Sequence, residues 1–236
     1  MKFWALSDLH LSFSCDKPMD IFGDNWSDYV SKIKANWQKK VKSDDVVFVA
    51  GDISWALKLE DAIADLKFLG ELNGTKVIIK GNHELWWSSI KKVREILPES
   101  VIALQNDSVR FGNVLVCGTR GWACKEINKP YSSDDEKIFA REVIRLNLTL
   151  SDMQKKRTPQ DKVVCLFHFP PFNSKREDNE FTQLFEKFNV DVVVYGHLHG
   201  KDVRSDKLIV KNGIKYYLTS TDQINHDPVE ITFETN

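Results

Sequence analysis

Five short apolar runs of this chain each stop at a side chain able to bind a metal ion. FWALS leads into Asp8-Leu9-His10, VVFVA into Gly51-Asp52, and KVIIK into Gly81-Asn82-His83-Glu84. VVCLF stops at His168, and DVVVY leads into Gly196-His197-Leu198-His199. For this composition an Asp-x-His is expected about 0.5 times by chance and a Gly-Asp about once, so neither is informative alone. A Gly-Asn-His is expected about 0.02 times and a Gly-His-x-His about 0.007 times, and these two carry the argument. Five of the six histidines fall in such blocks. Only His226, in an Asn-His-Asp-Pro turn context, stands apart, and it reads as a surface residue.

Imidazole nitrogen, carboxylate and one amide oxygen, without thiolate, suit Mn²⁺, Fe²⁺, Co²⁺, Ni²⁺ or Zn²⁺ rather than a closed structural zinc site. Asp8, His10, Asp52, Asn82, His168, His197 and His199 are more ligands than one catalytic ion needs. Two divalent ions sharing a carboxylate, about 3.5–4 Å apart, fit the count. Such a pair polarises a phosphoryl oxygen and holds a water as hydroxide near neutral pH. Phosphate-ester hydrolysis is the chemistry this set serves most directly.

Something must bring residues so distant in sequence together. Phe3–Leu6, Val46–Ala50 and Lys76–Lys80 read as strands, separated by amphipathic helices. One helix stripe is Trp26, Val30, Ile33, Trp37 and Val41; the other is Leu59, Ile63, Leu66 and Leu69. Continuous apolar strands alternating with helices indicate βαβ units in an α/β protein covered on both faces. The carboxyl ends of parallel strands then share one edge, where ligands bind. Val101–Leu104, Ser108–Phe111 and Val114–Cys117 suggest a local switch to antiparallel pairing. Ser133-Asp134-Asp135-Glu136 fits a capping box opening a long helix, with Phe139, Val143, Leu146, Leu150 and Met153 as its core face. Strand patterns return at 163–167 and 191–195, and short ones end the chain. Residues 12–25 and 119–132 read as irregular loops. With no repeat or linker, residues 1–236 are expected to form a single domain.

The composition narrows the partners. Lys and Arg total 33 against 34 Asp and Glu, a formal net charge of −1. This balance argues against extended nucleic acid as a partner. Four scattered cysteines exclude a disulfide framework, no run is long enough for a membrane span, and an Asp at position 8 comes too early for a signal peptide. A cytoplasmic location is expected.

The order Asp-x-His, Gly-Asp, Gly-Asn-His-Glu, His, Gly-His-x-His, from Asp8 to His199, resembles the calcineurin-like metallophosphoesterases. The resemblance implies a four-layer α/β/β/α sandwich of two mixed sheets with a dinuclear centre at one edge. It implies that Asp8, His10 and His199 hold one metal, that Asn82, His168 and His197 hold the other, and that Asp52 bridges them. It also implies that His83 is the catalytic acid and that a metal-bridging hydroxide attacks a phosphate monoester or diester. The family often has a further acid shortly after Gly-Asp. Here Ile53-Ser54-Trp55 follows, leaving water, a backbone carbonyl or Glu84 to orient His83. The expected substrate is a phosphorylated small molecule or nucleotide-like ester. Two alternatives are a nuclease or cyclic-nucleotide phosphodiesterase on the same site, and a non-catalytic scaffold for protein interaction. A scaffold predicts eroded ligands, and all seven are present.

Other residues leave two readings open. Trp55, Trp86, Trp87 and Trp122 either form a rim around the substrate, with Arg120 on a phosphate, or pack as core. Phe169-Pro170-Pro171-Phe172 either walls the site or fixes the exit of its loop.

Overall fold

The apolar runs lack alternation because each strand is covered on both faces. The computed structural model describes residues 1–233. One sheet contains Phe3–Ala5 (β1), Val46–Val49 (β2), Thr75–Ile78 (β3), Val101–Ala103 (β4) and Val229–Glu230 (β11). Its order is β11-β1-β2-β3-β4, parallel except for β11. The second contains Ser108–Phe111 (β5), Val114–Thr119 (β6), Lys162–Phe167 (β7), Val192–Tyr195 (β8), Leu208–Lys211 (β9) and Ile214–Leu218 (β10). Its order is β5-β6-β7-β8-β10-β9, with a parallel centre and antiparallel edges.

Helices Tyr29–Lys40 (α1), Ile63–Glu71 (α2) and Ile90–Ile96 (α3) cover the first sheet, where Ile33, Trp37, Leu66, Leu69 and Val93 pack on Val47, Val49 and Ile78. Val46, Phe48 and Val77 turn the other way and meet Val116, Val164, Leu166 and Val194 between the sheets. Helices Ser133–Lys156 (α4) and Glu180–Lys187 (α5) close the far side, with Leu146, Leu150, Met153, Phe181 and Phe185 on Cys165, Phe167 and Val193. The molecule is an α/β/β/α sandwich of two mixed sheets, as the family resemblance implies.

Three local readings change. β4 pairs parallel with β3 through the α3 crossover, so the antiparallel switch is confined to the β5–β6 hairpin of the second sheet. The capping residue of α4 is Ser132, because Asp135 rather than Glu136 returns the bond to the cap backbone. Trp26 lies outside α1, in a 3-10 turn at Asp24–Trp26, because Asp28 takes a left-handed backbone (φ 52°) before the helix starts.

Candidate metal centre

β1, β2, β3, β7 and β8 all run toward one edge, and the residue after each strand end reaches across to its neighbours. Ser7 N–H donates to the Thr219 carbonyl at 2.8 Å, joining the two sheets at this edge. His197 N–H donates to both Asp8 oxygens at 3.0 Å, and His83 N–H to Asp52 Oδ1 at 2.8 Å. Room for this closeness comes from glycine. A Cβ on Gly81 would lie 2.2 Å from Asp52 Oδ1, and one on Gly196 2.3 Å from Asp8 Oδ2.

Asp8, His10, Asp52 and His197 also share a left-handed backbone, with φ of 56°, 45°, 53° and 69°. Non-glycine residues adopt that conformation uncommonly, Asp and His more readily than most, and eight other described non-glycine residues share it.

The side chains converge. Asn82 Oδ1 lies 2.7 Å from His168 Nε2 and 2.8 Å from His197 Nδ1. Asp52 Oδ2 lies 3.4 Å from His168 Nε2, 3.9 Å from His83 Nε2 and 4.0 Å from His10 Nε2. His168 Nδ1 donates to the Ala50 carbonyl at 2.9 Å, which turns Nε2 toward the cluster. Two triads, Asp8–His10–Asp52 and Asp52–His168–His197, each bring candidate ligand atoms within 4.8 Å of one another and share Asp52. His199 packs its ring 5.0 Å from that of His10.

Both nitrogens of His10 and Asp52 Oδ2 are buried without a hydrogen-bond partner. Buried polar atoms are otherwise nearly always paired, so orphans of this donor type fit bound divalent cations. Burial holds the His10 and His197 imidazoles neutral, each with a pKa lowered to about 3, and neutral imidazole is the metal-binding form.

Glu84, one of three groups left open to orient His83, is engaged elsewhere. Its buried carboxylate accepts N–H groups from Asp52 at 3.0 Å, Ser54 at 3.4 Å, and also Ile53 and Gly81. It clamps the loop after β2 to the loop after β3 and leaves nothing for the His83 ring. That ring packs instead on Trp55, centroids 4.3 Å apart, and Trp55 stacks on His10 at 4.8 Å. Of the candidate rim tryptophans, Trp55 therefore borders the cluster. Trp86 and Trp87 are core, at 1% and 4% exposure. Trp122 lies behind Phe169, which touches the His197 ring at 4.1 Å. Arg120 ion-pairs with Glu142 at 3.1 Å beside the face of Trp122.

His226 is buried, not superficial. Left-handed backbone at Asn225 and His226 turns the ring inward, 2.7 Å from the Asn25 carbonyl and 3.1 Å from Thr221 Oγ1. It backs Trp26, whose ring borders both His10 and His199. Sequence periodicity missed this role of Trp26 by assigning it to the α1 stripe.

The metal-free chain has a predictable pH response. Burial raises Asp8 to about 8 and Glu84 to about 7. At His168 burial works downward, but Asp52, then Asp8 and Glu84, carry it to about 9. Each raised pKa means that the folded chain binds more protons than the unfolded one, so stability falls as pH rises through the window. His10, His83, His197 and His226, whose pKa values are lowered, act oppositely, chiefly below their ordinary value of 6.5 and fading above it. The urea midpoint of the chelated chain should therefore drop between about pH 6.5 and 7.5. Mn²⁺ should reverse the slope by displacing those protons. A flat or rising midpoint in the chelated chain contradicts the cluster's electrostatics.

An α/β/β/α sandwich whose strand ends gather histidine, carboxylate and amide groups belongs to the class of metal-site α/β proteins. The model of the calcineurin-like phosphoesterase family matches residues 1–201, and the chain belongs to that family. An uncharacterized metallophosphoesterase of Helicobacter pylori is 24% identical over 218 residues, 89% of this chain. The chain spans about half (48%) of the length of that curated relative. Two solved structures share the fold. The phosphopantetheinyl hydrolase of Mycobacterium tuberculosis aligns with TM-score 0.57 and 15% identity, covering 99% of this chain and 96% of that one. A protein of unknown function from Aquifex aeolicus aligns with TM-score 0.51 and 14% identity, covering 97% and 95%. Among the described residues, no helix is long and apolar enough to cross a membrane.

Proposed function

We propose that the chain hydrolyses a phosphate monoester or diester of a small molecule with two divalent ions, and that residues 1–236 work as one domain. The observation that carries this is the meeting of Asp8, His10, Asp52, Asn82, His168, His197 and His199 at one sheet edge, with His10 and Asp52 holding orphaned ligand atoms. In this reading Asp8, His10 and His199 hold one ion, Asn82, His168 and His197 the other, and Asp52 both. The ions supply Lewis acidity and lower the pKa of water.

His83 is the histidine of the cluster that this reading leaves free of a metal ion, and like His197 and His199 it is partly exposed. Its side chain is 36% exposed whereas His10 and His168 are fully buried. From Nε2 it would give a proton to the departing oxygen; burial lowers its pKa below the ordinary value, and Asp52 Oδ2 at 3.9 Å offsets part of that. Trp55 holds the ring on its other side. The organic part of the ester lies in a cleft of about 540 Å³ beside His197, walled by Phe169, Pro170, Phe172 and Leu198. That favours the wall reading of the Phe-Pro-Pro-Phe segment. Four free cysteines fit a cytoplasmic setting.

The test is metal analysis of the purified chain with hydrolysis of aryl phosphate monoesters and diesters in Mn²⁺. About two transition ions per chain and turnover are expected. His83→Ala should keep the metal and lose about a hundred-fold or more in kcat. A metal-free chain that stays inactive in Mn²⁺ leaves the scaffold reading in its place. Loss of metal from His83→Ala would make His83 a ligand.

A further inference from the structure

A second polar cavity, of about 230 Å³, lies at the same sheet edge but is lined by none of the candidate ligands. Lys80 after β3, Thr119 and Arg120 at the end of β6, Gln105, and Glu142 and Arg145 of α4 line it. Three cations face one carboxylate there. Glu142 Oε1 accepts from Arg120 at 3.1 Å and from Arg145 at 2.6 Å, so the counter-charge is already shared between two guanidinium groups. Lys80 Nζ donates only to the Trp87 carbonyl, at 3.3 Å, and has no carboxylate partner among the described residues. The cavity is smaller than the roughly 300–1,000 Å³ of sites for drug-sized ligands, and suits a small anion with a few waters.

Two atoms of the residues that line it are buried and unpartnered: Arg120 Nε, which can only donate, and Glu142 Oε2, which as a carboxylate oxygen can only accept. A fully ionised anion answers the first and not the second. A phosphate that keeps one proton answers both, because its P–O⁻ oxygens accept from Arg120, Arg145 and Lys80 while its P–OH donates to Glu142. We propose that this cavity is a binding site for a singly protonated phosphate group, separate from the metal centre. Its chemistry is shared by free inorganic phosphate and by a second phosphoryl group on the substrate. Guanidinium forks are well matched to either.

The test is calorimetric titration of the full chain with inorganic phosphate, before and after chelation, because phosphate held only by metal ions disappears on chelation. One phosphate per chain is expected to persist in the chelated chain. Arg145→Ala, on an exposed part of α4, should weaken that binding about ten-fold or more. Sulfate, which has no proton to donate at neutral pH, should bind about ten-fold more weakly than phosphate, and Glu142→Gln should erase the difference. Absence of phosphate binding after chelation, or binding indifferent to Arg145→Ala, overturns the site. Equal affinity for sulfate overturns its preference for the protonated group. The two sources separate kinetically. If the site takes a phosphoryl group of the substrate, Arg145→Ala raises KM for an aryl phosphate carrying a second phosphate more than for the simple ester. If it takes free phosphate, the two esters respond alike. Binding by the chelated chain is independent of hydrolysis, so its failure leaves the phosphoesterase reading standing.

Discussion

Asp52→Asn should reduce bound metal below one ion per chain and hydrolysis on the order of 10³-fold or more. Asp52 belongs to both candidate ligand triads, so this one substitution weakens two sites where loss of His10 or His197 weakens one. The amide keeps the shape but removes the negative charge that offsets two cations, and one of its two positions becomes an N–H donor. Its Oδ1 already accepts the His83 N–H, so the amide nitrogen is driven to the Oδ2 position, facing His10, His83 and His168. Neither lone pair nor charge remains where the ions need both. Metal analysis and steady-state hydrolysis on the same sample check this. Retained metal with full turnover would falsify Asp52 as the shared ligand.

Glu84→Ala should cost about 3–5 kcal/mol of stability and most of the activity, although Glu84 touches neither metal nor substrate in this reading. The carboxylate takes backbone N–H groups of Asp52, Ile53, Ser54 and Gly81. Removing it strands those donors in a site fully buried from water, and the penalty for each is that of an unsatisfied buried group. The loops bearing Asp52 and Asn82 would then drift apart. Urea unfolding measures the first effect, and metal content the second. Glu84→Asp, one methylene shorter, should be intermediate in both. A Glu84→Ala chain of unchanged midpoint that still binds metal rules out the clamp.

How much of this was readable beforehand follows from the range of each interaction. The blocks at strand ends are local in sequence, and parallel strands force their carboxyl ends together, so the seven candidate ligands could be named before any coordinates. The long core face of α4 was legible for the same reason, since its 3.6-residue periodicity is a property of the chain alone. What periodicity could not carry was pairing between distant backbone groups. β4 looked like part of a hairpin because its neighbours in sequence are antiparallel, whereas its partner in space is β3. Glu84 was one of three groups open to orient His83; its partners are N–H groups of Asp52, Ile53 and Ser54 in another loop and of Gly81 in its own, which no residue type advertises. His226 looked exposed because a turn sequence says nothing about which way a left-handed residue aims its ring. Trp55 is the case between, since its place after Gly51-Asp52 is legible in the sequence but its ring contacts with His10 and His83 are not.

The left-handed backbone at Asp8, His10, Asp52 and His197 has a consequence for the lifetime of the molecule. Each such residue costs on the order of 1 kcal/mol or more, and a domain's whole margin is about 5–15 kcal/mol. Without ions, that strain and the buried orphan atoms of His10 and Asp52 weigh on one edge of the fold. Ions that bind only the folded form add stability by mass action, about 2.7 kcal/mol at a hundred times Kd and more above it. The supply of metal in the cell would thus set how long each copy survives unfolding and proteolysis, as well as how fast it turns over.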